Sequence, residues 1–167
     1  VRLLQGAVDK LASTASNADI GVLINLGDMM HANNLKNETG SGTLLDVDGR
    51  AGKAIRAVGS LFKRVISKLL ETHREVWVIN VRGNHDPDAS LWINEMLTMY
   101  YENEPRIKVK ENYSKWIWFE WGKNLVVTHH GDKIKPNRMH EAITRDLPEE
   151  WGRTRHRFCW MGHVHHK

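Results

Sequence analysis

The chain has 167 residues, 41% of them apolar, with a formal net charge of +4 and one cysteine. That length supports a single hydrophobic core, while the absence of any apolar run near the ~20 residues of a membrane span, and of a signal-peptide pattern, argues against a membrane protein. Cys159 alone excludes an intrachain disulfide and fits a reducing, cytoplasmic compartment, and a pI near 9.3 tolerates a polyanionic partner without demanding one.

In chain order, residues 4–18 carry Leu4, Ala7, Val8 and Leu11 at helical spacing. Residues 20–26 are almost continuously apolar, as expected of a strand covered on both faces. Residues 32–52 turn polar and glycine-rich, which predicts a long loop, either a functional lid or disordered. Asp46, Asp48 and Gly49 lack the other ligand positions of a calcium loop. Residues 52–73 give the strongest helical period, through Ala54, Ala57, Val58, Leu61, Val65 and Leu70. The next strand, Val76–Val81, makes a β-α-β unit with parallel pairing. Residues 89–101 read as a helix with Leu91, Trp92, Met96, Leu97 and Tyr100 inward and Asp88 or Ser90 as cap. Alternation over 107–110 and 116–121, with Gly122-Lys123 leading into 124–128, predicts an antiparallel meander with a tight hairpin. Its tryptophans, Trp116, Trp118 and Trp121, read as a sheet packing face more than as a stacking surface for bases. Residues 136–150 are partly helical and end near Pro148, and Phe158–Met161 is a last short strand. The whole reads as one domain over residues 1–167, of α/β (α+β) class, incomplete at both ends.

Four of these segments run into glycine with Asp, Asn or His beside it. They are Gly27-Asp28-Met29-Met30-His31, Gly83-Asn84-His85-Asp86, His129-His130-Gly131-Asp132 and Gly162-His163-Val164-His165. Ligands bind outside the carboxyl ends of strands in open α/β sheets, and glycine lets the backbone turn sharply there. Six of the ten histidines lie in these segments, which favours metal binding over scatter. Carboxylate, amide and imidazole donors together suit Mn, Fe or Zn better than an all-oxygen Mg or Ca cage. With no cysteine cluster, a structural zinc site is disfavoured.

The ordered set of motifs resembles the calcineurin-like metallophosphoesterase superfamily over almost the whole chain. The resemblance implies a β-sandwich of mixed sheets flanked by helices, two divalent metal ions, manganese foremost, and a bridging hydroxide for phosphoester hydrolysis. It implies that Asp28 bridges the metals, that Asn84, His130 and His163 complete one, and that His165 binds the other. His85 takes the catalytic role, oriented by Asp86, and His31 is a candidate for substrate contact. His130 is chosen over His129 because the family's ligand directly precedes the glycine. The family's first motif, Asp-x-His, does not occur before Asp28. Without it the chain is expected to hold one metal well and the other poorly. Gly-Asn-His-Asp and Gly-Asp-Met-Met-His look more like the phosphodiesterase and DNA-repair exonuclease branch than the protein phosphatases. The expected substrate is therefore a phosphodiester, with nucleic acid as one candidate. The alternatives are a small-molecule phosphomonoesterase and a non-catalytic phosphate- or nucleic-acid-binding remnant. Lys133 and Lys135 read as a charged loop.

Overall fold

The computed structural model describes residues 6–11, 18–46 and 51–164. In order these form a helical turn over 6–11, β1 (Ile20–Asn25), α1 (Ala51–Leu70), β2 (Glu75–Asn80), α2 (Pro87–Tyr100), β3 (Ile107–Val109), β4 (Ile117–Trp121) and β5 (Asn124–His129). A 3-10 turn (Pro136–Arg138), α3 (Met139–Asp146), α4 (Pro148–Arg153) and β6 (His156–Met161) follow. The fold is mixed α/β: two small three-stranded sheets flanked by helices.

The first sheet has the order β1-β2-β3 and is parallel throughout. The second has the order β4-β5-β6, antiparallel at the Gly122-Lys123 hairpin and parallel between β5 and β6. Strand alternation sorts the side chains into layers. Val76 and Val78 of β2 pack with Phe62 and Ile66 of α1 and with Ile93 and Leu97 of α2. On the opposite face of β2, Ile79 and Val81 meet Ile117 of β4, with Val22, Ile24 and Phe119 alongside. Beyond the second sheet, Leu125 and Val127 pack against Met139, Ala142 and Ile143 of α3. Each fully buried aliphatic side chain contributes about 1.5–3 kcal/mol.

Three expectations change. The meander is one strand shorter, because β3 pairs in parallel with β2, Val76 opposite Ile107; α2 is a crossover, and crossovers return the chain parallel. The buried face of α2 is Ser90, Ile93, Asn94 and Leu97, whereas Trp92, Met96 and Tyr100 are exposed. Its cap position is Asp86, followed by Pro87 at the first helical position, and no side chain of its own segment caps it. Pro148 likewise opens α4, as suits a residue with fixed φ and no N–H.

Asp146 closes the second layer. Its carboxylate accepts from Arg145 Nε (2.8 Å), Lys115 Nζ (2.5 Å) and the indole N–H of Trp116 (2.9 Å). These donors, Arg145 first, hold the acid well below the usual carboxylate range. A depressed folded pKa adds stability above the unfolded value of about 3.9 and loses it as pH falls through the folded one. Urea unfolding should show Asp146→Asn less stable than wild type at pH 7, with the difference shrinking below about pH 4. A difference independent of pH would contradict this.

Candidate metal centre

β1 and β2 are parallel and in register, Asn25 opposite Asn80. Their following turns therefore lie side by side at the carboxyl end of the sheet. β5 and β6 do the same in the second sheet, His129 opposite Met161, which brings Gly131 and Gly162 together. The two sheet ends meet where His130 Nδ1 donates to the Leu26 carbonyl over 2.7 Å. Four motifs separated by as much as 136 residues thus reach one place.

Close approach of backbones makes glycine obligatory at Gly83. A Cβ there would collide with the carboxylate and backbone nitrogen of Asp28 and come within 2.7 Å of Asp86 Oδ1. Asp28, His31 and His163 have φ of 58°, 62° and 61°, three of the four non-glycine residues with positive φ among the described residues. Such conformations carry strain and persist only where surrounding contacts hold them.

Asp28, His130 and His163 form a group that can hold a metal ion, their ligand atoms all within 4.8 Å of one another. Its centre is His130, only 3% exposed. A carbonyl only accepts, so the bond to Leu26 places a proton on Nδ1, and Nε2 is the ring atom that can offer a lone pair to a metal. That lone pair faces Asn84 Oδ1 at 2.9 Å and Asp28 Oδ2 at 3.1 Å. With Nε2 unprotonated the three atoms all offer lone pairs to one point, an arrangement a divalent cation satisfies. The Nδ1–H to carbonyl contact is the orienting partner that metal-bound histidines have. The ring of His163 stands edge-on to His130, 5.0 Å between centroids, and is exposed. Asn84 belongs to the cluster through His130. His165 lies outside the described residues. The donor set present, one carboxylate, one amide oxygen and two imidazoles, fits a borderline divalent ion.

His129 points the other way, as strand alternation requires. Its ring lies 4.9 Å from Trp116, and its Nδ1 accepts the Gly131 N–H over 2.7 Å. Burial pushes its pKa down.

His85 sits beside the cluster. Its backbone N–H donates to Asp28 Oδ1 (3.0 Å), its ring stacks on His31 at 5.0 Å, and its Nδ1 is buried without a partner among the described residues. The expected orientation of His85 by Asp86 takes another form. Asp86 is fully buried, and its oxygens accept from the Met30 N–H (2.7 Å) and the Ser90 hydroxyl (2.9 Å), with no hydrogen bond to the imidazole. Asp86 therefore ties the turn after β1 to the start of α2. Behind it, Asn25 Nδ2 donates to Asn80 Oδ1, Asn80 Nδ2 to the Ser90 carbonyl, and Asn112 Nδ2 to the Asn80 carbonyl.

The loop over 32–46 is pinned to the site. Asn33 Nδ2 donates to Asp88 Oδ2 (2.8 Å), Asn33 Oδ1 accepts the Asp88 N–H (2.7 Å), and the Gly40 N–H donates to the His85 carbonyl (3.1 Å). Asn33 thereby supplies the side-chain cap that α2 lacks locally. These partners carry no local sequence signature; Asn33 is one of three nearby asparagines and Ser90 one of two residues named as possible caps. A cleft of about 520 Å³ opens beside Asn84 and His130, with Arg82, Lys115 and Lys133 on its walls. Lys133 pairs with Asp132 at 3.1 Å, and Lys135 is not on the lining. No helix among the described residues is long and apolar enough to cross a membrane. Compared with protein-family models, curated proteins and solved structures, the chain finds no match.

Proposed function

We propose that the chain is a calcineurin-like metallophosphoesterase domain that hydrolyses phosphoesters, phosphodiesters foremost, with manganese as its first-choice metal. The observation that carries this reading is the convergence of Asp28 Oδ2, Asn84 Oδ1 and His130 Nε2, the oxygens 3.1 and 2.9 Å from the nitrogen, at the ends of strands from two sheets. Asp28, Asn84, His130 and His163 hold the ion, and His165 is assigned to a second one. A divalent cation in such a site supplies Lewis acidity at a phosphoryl oxygen and a water of lowered pKa. The rest falls to the chain. His130 donates its Nδ1–H to the Leu26 carbonyl, which orients Nε2 toward the ion. His85, fixed by its N–H on Asp28 and by the His31 ring, protonates the leaving oxygen. His31 contacts the substrate from above that ring. The cationic cleft beside Asn84 and His130 accommodates the anionic remainder of a diester. Cys159, whose thiol burial pushes up, suits the reducing conditions of a cytoplasm.

The test is hydrolysis of bis-p-nitrophenyl phosphate and p-nitrophenyl phosphate with added manganese. Turnover should favour the diester and stop in chelator. His85→Ala should lower kcat by about 10²–10⁴-fold while leaving manganese affinity within about three-fold of wild type. No metal-dependent turnover of either ester would overturn the reading, and faster turnover of the monoester would replace it with a phosphomonoesterase.

A further inference from the structure

A second cleft, of about 350 Å³, lies between the turn after β1, the start of α1 and the outer face of α2. Its walls are Met30, Leu35, Ile55, Ala89, Trp92 and Met96, with Ala32, Asn33 and Asn34 at its rim. Folding leaves these apolar groups in water: Leu35 is 82% exposed and Trp92 75%. The cleft is continuous with the metal centre along the chain. Met30 and Ala32 flank His31, and Met30 stands two residues from Asp28, a span of at most about 7 Å. Ala89 is in the first turn of the helix that follows His85.

The cleft is preformed. Asn33 holds its rim to Asp88, and the Asp86 carboxylate holds Met30. Its lining among the described residues is predominantly apolar. Asn33 is engaged with Asp88 on both its oxygen and its nitrogen, and Asn34 with Glu38 and the Lys36 N–H. No charged side chain among the described residues lines it. What such a surface recognises is the face of a planar ring, the indole of Trp92 and the thioethers of Met30 and Met96 being the contacts.

Resting on the phosphodiesterase reading above, we infer that this cleft receives a nucleobase adjoining the scissile phosphate and holds it by stacking, without reading which base it is. The substrate class is thereby a nucleic acid or nucleotide ester cleaved without base preference. Stacking is sequence-tolerant because every base presents a π face, and base identity is read through hydrogen bonds, for which the two asparagine side chains of the described lining are already engaged.

The experiment is calorimetric titration of the manganese-loaded protein with dAMP, dTMP and 2-deoxyribose 5-phosphate. Wild type should bind the two nucleotides within about three-fold of each other and about ten-fold or more tighter than the sugar phosphate. Trp92→Ala, on an exposed position, should bring both nucleotides to the level of the sugar phosphate and leave the sugar phosphate unchanged. Trp92→Phe should keep most of the difference. Nucleotides that bind wild type no tighter than the sugar phosphate would overturn the inference and leave the phosphoesterase reading standing. A preference of more than about ten-fold for one base would overturn it as well. If none of the three binds in a manganese-dependent way, the metal-centre reading falls and this inference with it.

Discussion

His130→Ala is expected to lower manganese affinity by more than the roughly 10–100-fold that loss of a mere orienting partner costs, and to abolish metal-dependent hydrolysis. The substitution removes the one buried nitrogen whose lone pair faces both Asn84 and Asp28. It also removes the bond to Leu26 that joins the two sheet ends, so some stability goes with it, about 1 kcal/mol for the hydrogen bond. Those two effects separate by experiment. Calorimetric titration with manganese reads the first, and urea unfolding in chelator reads the second. His129→Asn serves as the comparison: it changes the neighbouring histidine, which packs on Trp116 and faces away from the cluster. Its manganese affinity should stay far closer to wild type. Equal losses in the two variants would mean that the cluster is not assembled around His130.

Gly83→Ala should be the most damaging small substitution in the chain. The added carbon has nowhere to go, because it would overlap the carboxylate and backbone nitrogen of Asp28 and come within 2.7 Å of Asp86 Oδ1. Overpacking of this kind costs about 3 kcal/mol or more when backbone must move, which lowers Tm by roughly 6–12 °C in a domain of this size. The same displacement shifts Asp28 away from His130, so manganese binding should be lost even below the melting transition. Gly52→Ala is the control. Nothing lies within 4 Å of a Cβ there, and the residue is helical, so Tm should hold or rise slightly. Differential scanning calorimetry of the two variants decides the matter; a Gly83→Ala protein that melts with wild type and binds manganese would refute the packing argument.

What was legible in the sequence follows physical range. β1, β2 and α1 announce themselves because burial on a fixed period writes apolar residues at that period, and the Gly122-Lys123 hairpin because its turn is local. The face of α2 was misread for a specific reason. Its buried stripe, Ser90, Ile93, Asn94 and Leu97, is half polar, and a count of apolar residues rotates toward Trp92 and Met96. The Ser90 hydroxyl is satisfied by Asp86 and the Asn94 Nδ2 by the Lys110 carbonyl, while Asn94 Oδ1 is buried with no hydrogen-bond partner among the described residues. β3 was misplaced because alternation over three residues carries no information on the partner strand.

The candidate site divides in the same way. Glycine at four strand ends, with acidic, amide or imidazole neighbours, is a signal the chain writes locally. The structure brings Asp28, Asn84, His130 and His163 together, and His165 lies outside the described residues. The parts that set geometry are not local. The Leu26 carbonyl that fixes the tautomer of His130 is 104 positions away, and Asn33, which caps α2, is 55 positions from Asp88. No periodicity reaches across such gaps. The adjacency of Asp86 to His85 suggests that it orients that ring, while the fold directs the carboxylate to Met30 and Ser90.

The most direct measurement is X-ray diffraction from crystals grown with manganese, recorded at wavelengths on both sides of the metal's absorption edge. The account predicts an anomalous peak bounded by Asp28 Oδ2, Asn84 Oδ1, His130 Nε2 and the His163 ring, present above the edge and weakened below it. Crystals of His130→Ala grown alongside should lack that peak. An anomalous peak elsewhere, or none among these four residues at saturating manganese, would contradict the metal centre on which the proposed chemistry depends.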